Sequence, residues 1–151
     1  MKNKIIVMLF IATACFGFVA LSDQNSKQCI DLYVDFGSLN NGQKVIGCMP
    51  ANQHTNAIDI LNSAHIKIQG TDKYPTQIVC RVNGFPTIKT EPCKDMPPEK
   101  AYWAIIVKQK SNGLMSSKWG WAQTGINDVY LNPGESLGLV FTENGELKWP
   151  N

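Results

Sequence analysis

The stretch Thr55-Asn56-Ala57-Ile58-Asp59-Ile60-Leu61-Asn62-Ser63-Ala64-His65 decides the architecture. Thr55 or Asn56 can cap a helix, because a short side-chain oxygen at that position accepts from an unpaired N–H of the first turn. Ala57, Ile58, Leu61, Ala64 and His65 then recur at helical spacing, with Asp59, Asn62 and Ser63 on the other face. This is the one convincing helix of the chain. A single helix covers one face of a sheet, so the flanking segments are read for strands.

Upstream, Cys29 to Phe36 alternates: Ile30, Leu32, Val34 and Phe36 face one way and Asp31, Tyr33 and Asp35 the other. Asn40-Asn41-Gly42 is a turn signal, and Lys44 to Met49 makes the returning strand before Pro50. Downstream, Ile66 to Gly70 reads as a short strand and Gln77 to Val82 as another. Asn83-Gly84 is a hairpin-turn dipeptide after which Phe85 to Lys89 can pair back. Glu91 to Lys100 is a loop rich in Pro and Lys. Ala101 to Gln109 is a strong, central strand, Ser111 to Lys118 a loop, Trp119 to Ala122 a short strand, and Ser136 to Thr142 the last strand. Glu143 to Asn151 reads as a polar tail containing Trp149. The expected class is α+β: a mixed sheet with one main helix packed on one face. Hairpin, crossing helix, strands with a long excursion and a final strand is the β-grasp order.

The chain has 151 residues, a one-domain length. Lys2 and Lys4, the uncharged apolar run Ile5 to Ala20, and the small-x-small site Ala20-Leu21-Ser22 together form a secretory leader. That predicts a signal peptide over 1–22, a mobile tail over 23–28 and a β-grasp-like domain over 29–151. The run is short for a bilayer span, which needs roughly 20 apolar residues. Ala12-Thr13-Ala14-Cys15 is a loose lipobox, but the apolar Phe16 to Leu21 that follows argues against lipidation at Cys15. No second apolar run of spanning length occurs, so the mature chain is expected to be secreted or to reside in the periplasm or cell envelope.

Of the 14 Lys and Arg, two lie in the leader, leaving 12 against 12 Asp and Glu. A neutral mature chain lacks the clustered cationic face that phosphate neutralisation needs, so nucleic acid is not an expected partner. Of five cysteines, Cys29, Cys48, Cys80 and Cys93 remain after the leader, an even number that reads as two disulfides. Four cysteines allow three pairings. Cys29–Cys48 and Cys80–Cys93 are favoured because each pair brackets a turn. No C-x-x-C occurs and the two histidines fit no zinc pattern, so no metal is expected.

Catalysis is not expected either. His54 and His65 flank the helix as capping or surface residues, and the disulfides leave no thiol nucleophile. Asp31 and Asp35 share a strand face, which suits a cation or a glycosidase pair but also an ordinary solvated face. No phosphate or dinucleotide fingerprint is present.

The second half concentrates the large rings, in Ala101-Tyr102-Trp103-Ala104, Lys118-Trp119-Gly120-Trp121 and Gly138 to Phe141. Neighbours on a strand face opposite ways, so Tyr102 and Trp103 cannot both be core, whereas Trp119 and Trp121 share a face. If that face is open, two indoles on a rigid ladder suit a flat or ring-shaped ligand such as a sugar or a corrin. If it is closed, the rings simply cover a thin sheet. Arg81 flanks a cysteine on its strand, and Asn83-Gly84 forms a tight loop tip.

These signals together resemble the β-grasp domain found at the C-terminus of transcobalamin and intrinsic factor and in many exported bacterial proteins. The matching pieces are Thr55 to Leu61 for the helix, Ile78-Val79-Cys80-Arg81-Val82-Asn83-Gly84 for a V-x-x-V-N-G strand and turn, Ala101 to Val107 for a Y-W strand, and Leu131-Asn132-Pro133-Gly134-Glu135 to Phe141 for the final strand. In the cobalamin carriers this domain covers one face of the corrin while a separate helical barrel holds the rest. No such barrel accompanies the domain in this chain. The resemblance implies a non-catalytic, cobalamin- or tetrapyrrole-like ligand-binding module with contacts at Tyr102, Trp103, Trp119 and Trp121, and Arg81 and Asn83 at the rim. It leaves the cofactor unnamed. A surface module for an envelope protein or a glycan is the competing expectation.

Overall fold

In the computed structural model residues 29–151 are described, apart from 112, 113 and 117. The expected leader over 1–22, with Cys15, and the tail over 23–28 lie outside the described residues.

β1 (Cys29–Asp35) buries Ile30, Leu32 and Val34 and turns Asp31 and Tyr33 the other way, as its alternation requires. The chain then reverses through Asn40 and Asn41, both left-handed (φ 47 and 56), a conformation that asparagine tolerates well. β2 (Lys44–Pro50) returns antiparallel to β1, with Tyr33 opposite Ile46. β3 (Thr55–Asn56) leads into α1 (Ala57–Ser63). Asn56 is the cap, its side-chain oxygen accepting from Ile58 N at 2.8 Å while its Nδ2 donates to Asn127 O at 2.7 Å. The helix stops two residues short of His65, which is left-handed (φ 57) and exposed.

β4 (Ile68–Gln69) pairs with β5 (Arg81–Val82). β6 (Trp103–Lys108) crosses the molecule. β7 (Lys110–Ser111) and β8 (Leu114–Met115) form a small hairpin within the expected 111–118 loop. β9 (Gly120–Trp121) joins the sheet edge, β10 (Tyr130–Leu131) pairs with β3, and β11 (Ser136–Phe141) closes the fold.

The five-stranded sheet runs β2-β1-β11-β6-β9. β1 and β11 are its one parallel pair, and the other contacts are antiparallel. Register puts Leu32 beside Leu137 and Val34 beside Leu139, and Leu137 beside Val107. These side chains form an inner face that packs against Ala57, Ile60 and Leu61 of α1 and against Ile126 and Leu131. The chain is therefore α+β, mostly sheet, with one helix on one face. The opposite face carries a second, smaller cluster of Ala104, Ile106 and Val140, flanked by Tyr33, Tyr102, Trp119 and Leu147.

Cys29–Cys48 and Cys80–Cys93 are both bonded, with Cα atoms 5.5 and 5.8 Å apart. The first staples the β1–β2 hairpin. The second ties the segment entering β5 to the loop before β6.

Three expectations differ. The Gln77–Val82 strand shrinks to Arg81–Val82, because β4 is only two residues long: Cys80 N–H still donates to Gln69 O at 2.9 Å, and Ile78 and Val79 lie beyond the ladder. Phe85 to Lys89 does not return as a strand: after a single bridge between Val82 and Phe85 the chain turns at a cis Phe85–Pro86 bond. The C-terminal stretch is not a solvated tail. Leu147 packs on the outer cluster and Trp149 lies edge-on to Trp121 with ring centres 5.8 Å apart.

Candidate functional site

β9 pairs with β6 only at Ile106 and Val107. Ala122 N still reaches Ile105 O at 3.0 Å, after which the chain turns away. The edge of β6 from Trp103 to Ile105 therefore borders a groove rather than another strand, and this groove has a volume of about 530 Å³.

Local interactions fix both sides of it. Tyr102 is held at the mouth of β6 by Thr142: the Tyr102 N–H donates to Thr142 Oγ1 at 3.0 Å, and Thr142 N–H donates to Tyr102 O at 2.8 Å. Trp103 points inward, as strand parity demands, and is 4% exposed. Its ring meets Phe36 and Phe141 edge-on at 5.2 and 5.4 Å, and its indole N–H donates to Phe85 O at 3.1 Å. The opposing wall is the extended segment from Gln77 to Val79. It is drawn against the 124–127 turn by Ile126 N and Asn127 N, which donate to Gln77 O and Thr76 O, each at 3.2 Å. Gly125 permits that approach: a Cβ there would lie 2.5 Å from the Gln77 backbone. Met96 and Pro97 form the far lip, anchored through the Cys80–Cys93 disulfide. Trp121 stands at the near lip and is 45% exposed.

Of the sequence-derived ligand contacts, the structure brings together Tyr102, Trp103 and Trp121. Only an edge of Trp103 is available, since it belongs to the core. Trp119 shares the outer face with Trp121 as expected, but it lines a separate basin of about 640 Å³ with Tyr33, Ile46 and Lys108. Its ring is seated over Gly138, where a Cβ would come within 3.1 Å of the indole. The Lys108 ammonium lies 5.1 Å from the ring centre, and its buried N–H has no hydrogen-bond partner.

Arg81 and Asn83 lie away from the groove. Arg81 is buried, donating from Nε to Pro86 O at 2.7 Å, from NH1 to Gln69 Oε1 and from NH2 to Glu91 O at 2.5 Å each. Every face of its guanidinium is thus spent inside the fold, holding the 86–91 loop. Asn83 is left-handed (φ 48), and its side chain accepts from Lys67 N at 2.8 Å. Sequence reasoning missed Met96, the Gln77–Val79 wall and Gly125. Only Gly125, a glycine just before an apolar residue and outside any turn dipeptide, carried a signal for close backbone approach.

The strongest electrostatic cluster lies elsewhere, at the far end of β1. Burial works to raise the Asp35 carboxyl, but Lys44 at 2.7 Å, the Gly37 N–H at 3.0 Å and the Tyr33 hydroxyl at 2.9 Å outweigh it and hold it below the ordinary aspartate value. Lys44 is pushed above the usual lysine range by the same contacts, first by Asp35. The cluster is a satisfied latch on the first hairpin. Asp31, its candidate partner acid, sits at the opposite end of the strand.

Two clusters of metal-type side chains occur among the described residues, Cys29–Asp31–Cys48 and Cys80–Glu91–Cys93. Each is built on sulfurs already bonded to one another, so neither offers thiolate ligands. His54 packs at a tilt against Tyr130, with ring centres 5.1 Å apart. No helix among the described residues is long and apolar enough to cross a membrane. The two disulfides are consistent with an extracellular or periplasmic protein. No protein-family model, curated protein or solved structure matches the chain.

Proposed function

We propose that this chain is an exported, non-catalytic binding module of the β-grasp type, whose ligand is a flat or ring-shaped small molecule, cobalamin- or tetrapyrrole-like in shape. The observation that carries the reading is the groove beside β6, with the exposed indole of Trp121 at its lip and apolar walls behind it. A concave apolar pocket with few polar groups is the usual form of a small-molecule site. The sheet order β2-β1-β11-β6-β9, with a parallel central pair and the helix between the opening hairpin and the later strands, supports the β-grasp assignment. The disulfides and the leader at 1–22 support export. The likeness to the transcobalamin C-terminal domain supports the choice of ligand shape.

Native mass spectrometry of the protein taken from its own host tests this. A co-purified small molecule is expected, and it should be absent from Trp121→Ala. Bare protein, together with no quenching of tryptophan fluorescence by cobalamin or a cationic porphyrin, overturns it.

A second reading, a surface module for an envelope protein or a glycan, is favoured by the outer face. There Ile46, 72% exposed, lines the basin of Trp119 and Tyr33. Host-isolated protein bound to a saccharide or to a second polypeptide, with the groove unaffected by substitution, selects that reading.

A further inference from the structure

The groove beside β6 has a one-sided charge character. Among the described residues that line it, Glu99 is the only ionisable side chain besides the Tyr102 phenol, and no described Lys, Arg or His contributes a wall. Glu99 is exposed and therefore free to turn toward an occupant. The indole of Trp121 and the ring of Tyr102 present π-faces, which attract cations and repel anions. Met96, adaptable and polarizable, forms the opposite lip and is also exposed. The remaining surface is aliphatic or amide apart from the Thr124 side chain and the edge of Trp103. Nothing in such a groove neutralises a carboxylate, whereas an ammonium or iminium has both a counter-charge and aromatic faces.

We propose that the groove selects flat, apolar ligands that carry a positive charge and rejects ring systems of the same size that carry a carboxylate. The proposal rests on the groove being the ligand site, and it adds which charge that ligand bears. It separates carboxylate-bearing tetrapyrroles, which are disfavoured, from cationic ring compounds, which are admitted.

Acridine and two of its derivatives separate ring shape from charge: 9-aminoacridine is a cation at neutral pH, acridine is neutral, and acridine-9-carboxylate is an anion. Equilibrium dialysis of each against the disulfide-intact protein at low salt reads the order of affinity. The cation is expected to bind about tenfold or more tightly than the anion, with acridine between them. In Glu99→Gln that ratio should fall to about threefold, because the aromatic term persists while the counter-charge is gone. The ratio in the wild type should also shrink as salt is raised. Equal or tighter binding of the anion, or a ratio unchanged by Glu99→Gln, overturns the charge selection while leaving the groove a ligand site. Absence of binding by all three, or binding indifferent to Trp121→Ala, overturns the groove itself as the site.

Discussion

The two faces of the sheet solve the same burial problem in different ways. The inner face is sealed by α1 and the 126–131 segment, and its indole, Trp103, has a bonded N–H and two edge-on aromatic partners. Among the described residues no helix covers the outer face. It is covered by side chains alone, with Trp119 lying over Gly138, Leu147 on the small cluster and Trp149 against Trp121. Both indoles sit over β-sheet, yet one is locked into a continuous core and the other rests on a three-residue one. The inner face supplies stability, and the outer face, with the adjoining edge of β6, supplies accessible aromatic surface.

Four substitutions sharpen or break this contrast. Trp103→Ala should cost about 3–5 kcal/mol in urea denaturation, because a fully packed aromatic side chain leaves a cavity. A loss below 1 kcal/mol would mean the inner face is not the core. Gly138→Val should cost about 1–3 kcal/mol by overpacking, since a Cβ there would lie 2.5 Å from Ile106 Cγ1 and 3.1 Å from the Trp119 ring. The displaced indole should also change its emission spectrum, and an unchanged spectrum would deny that Gly138 seats it.

Asp35→Asn should cost about 1–2 kcal/mol at neutral pH, through loss of the charge-assisted contacts to Lys44 and Tyr33. Because the folded-state carboxyl titrates below its unfolded value, its contribution is fully present above the unfolded pKa. It is lost as pH falls through the folded pKa, so wild type and variant should converge in stability below about pH 4. Parallel curves down to acid pH would remove Asp35 from the latch. Trp121→Ala should have the smallest effect on stability, about 0.5 kcal/mol, while abolishing ligand uptake in the groove. Equal losses of both would return Trp121 to the structural core.

Local chemistry made much of this legible before the fold was known. The Asn56 cap, the apolar spacing of Ala57 to Leu61 and the alternation of Cys29 to Phe36 each depend on neighbours within a few residues. The disulfide pairing was legible because each pair brackets a turn. Strand parity correctly separated Tyr102 from Trp103 and placed Trp119 with Trp121. What stayed hidden depends on distant partners. Ile78 and Val79 have strand-like composition, yet β4, the strand they would extend along, covers only Ile68 and Gln69. The apolar residues Leu147 and Trp149 looked isolated in a polar stretch, because Leu147 rests on a cluster that reaches back to Ala104 and Ile106 and Trp149 meets Trp121. Arg81 reads as a surface cation until the carbonyls of Pro86 and Glu91 close around it.

The place of β11 has a consequence for how the polypeptide reaches its native state. The strand at Ser136–Phe141 sits between β1 and β6, so it separates two segments that begin 74 positions apart. A chain that emerges amino end first can form its opening hairpin and close Cys29–Cys48 early, but it cannot join the two halves of the sheet until residue 141 is free. Completion of the core therefore waits for the last strand, and the pairings that strand makes with β1 and β6 are long-range ones of the kind that slow folding.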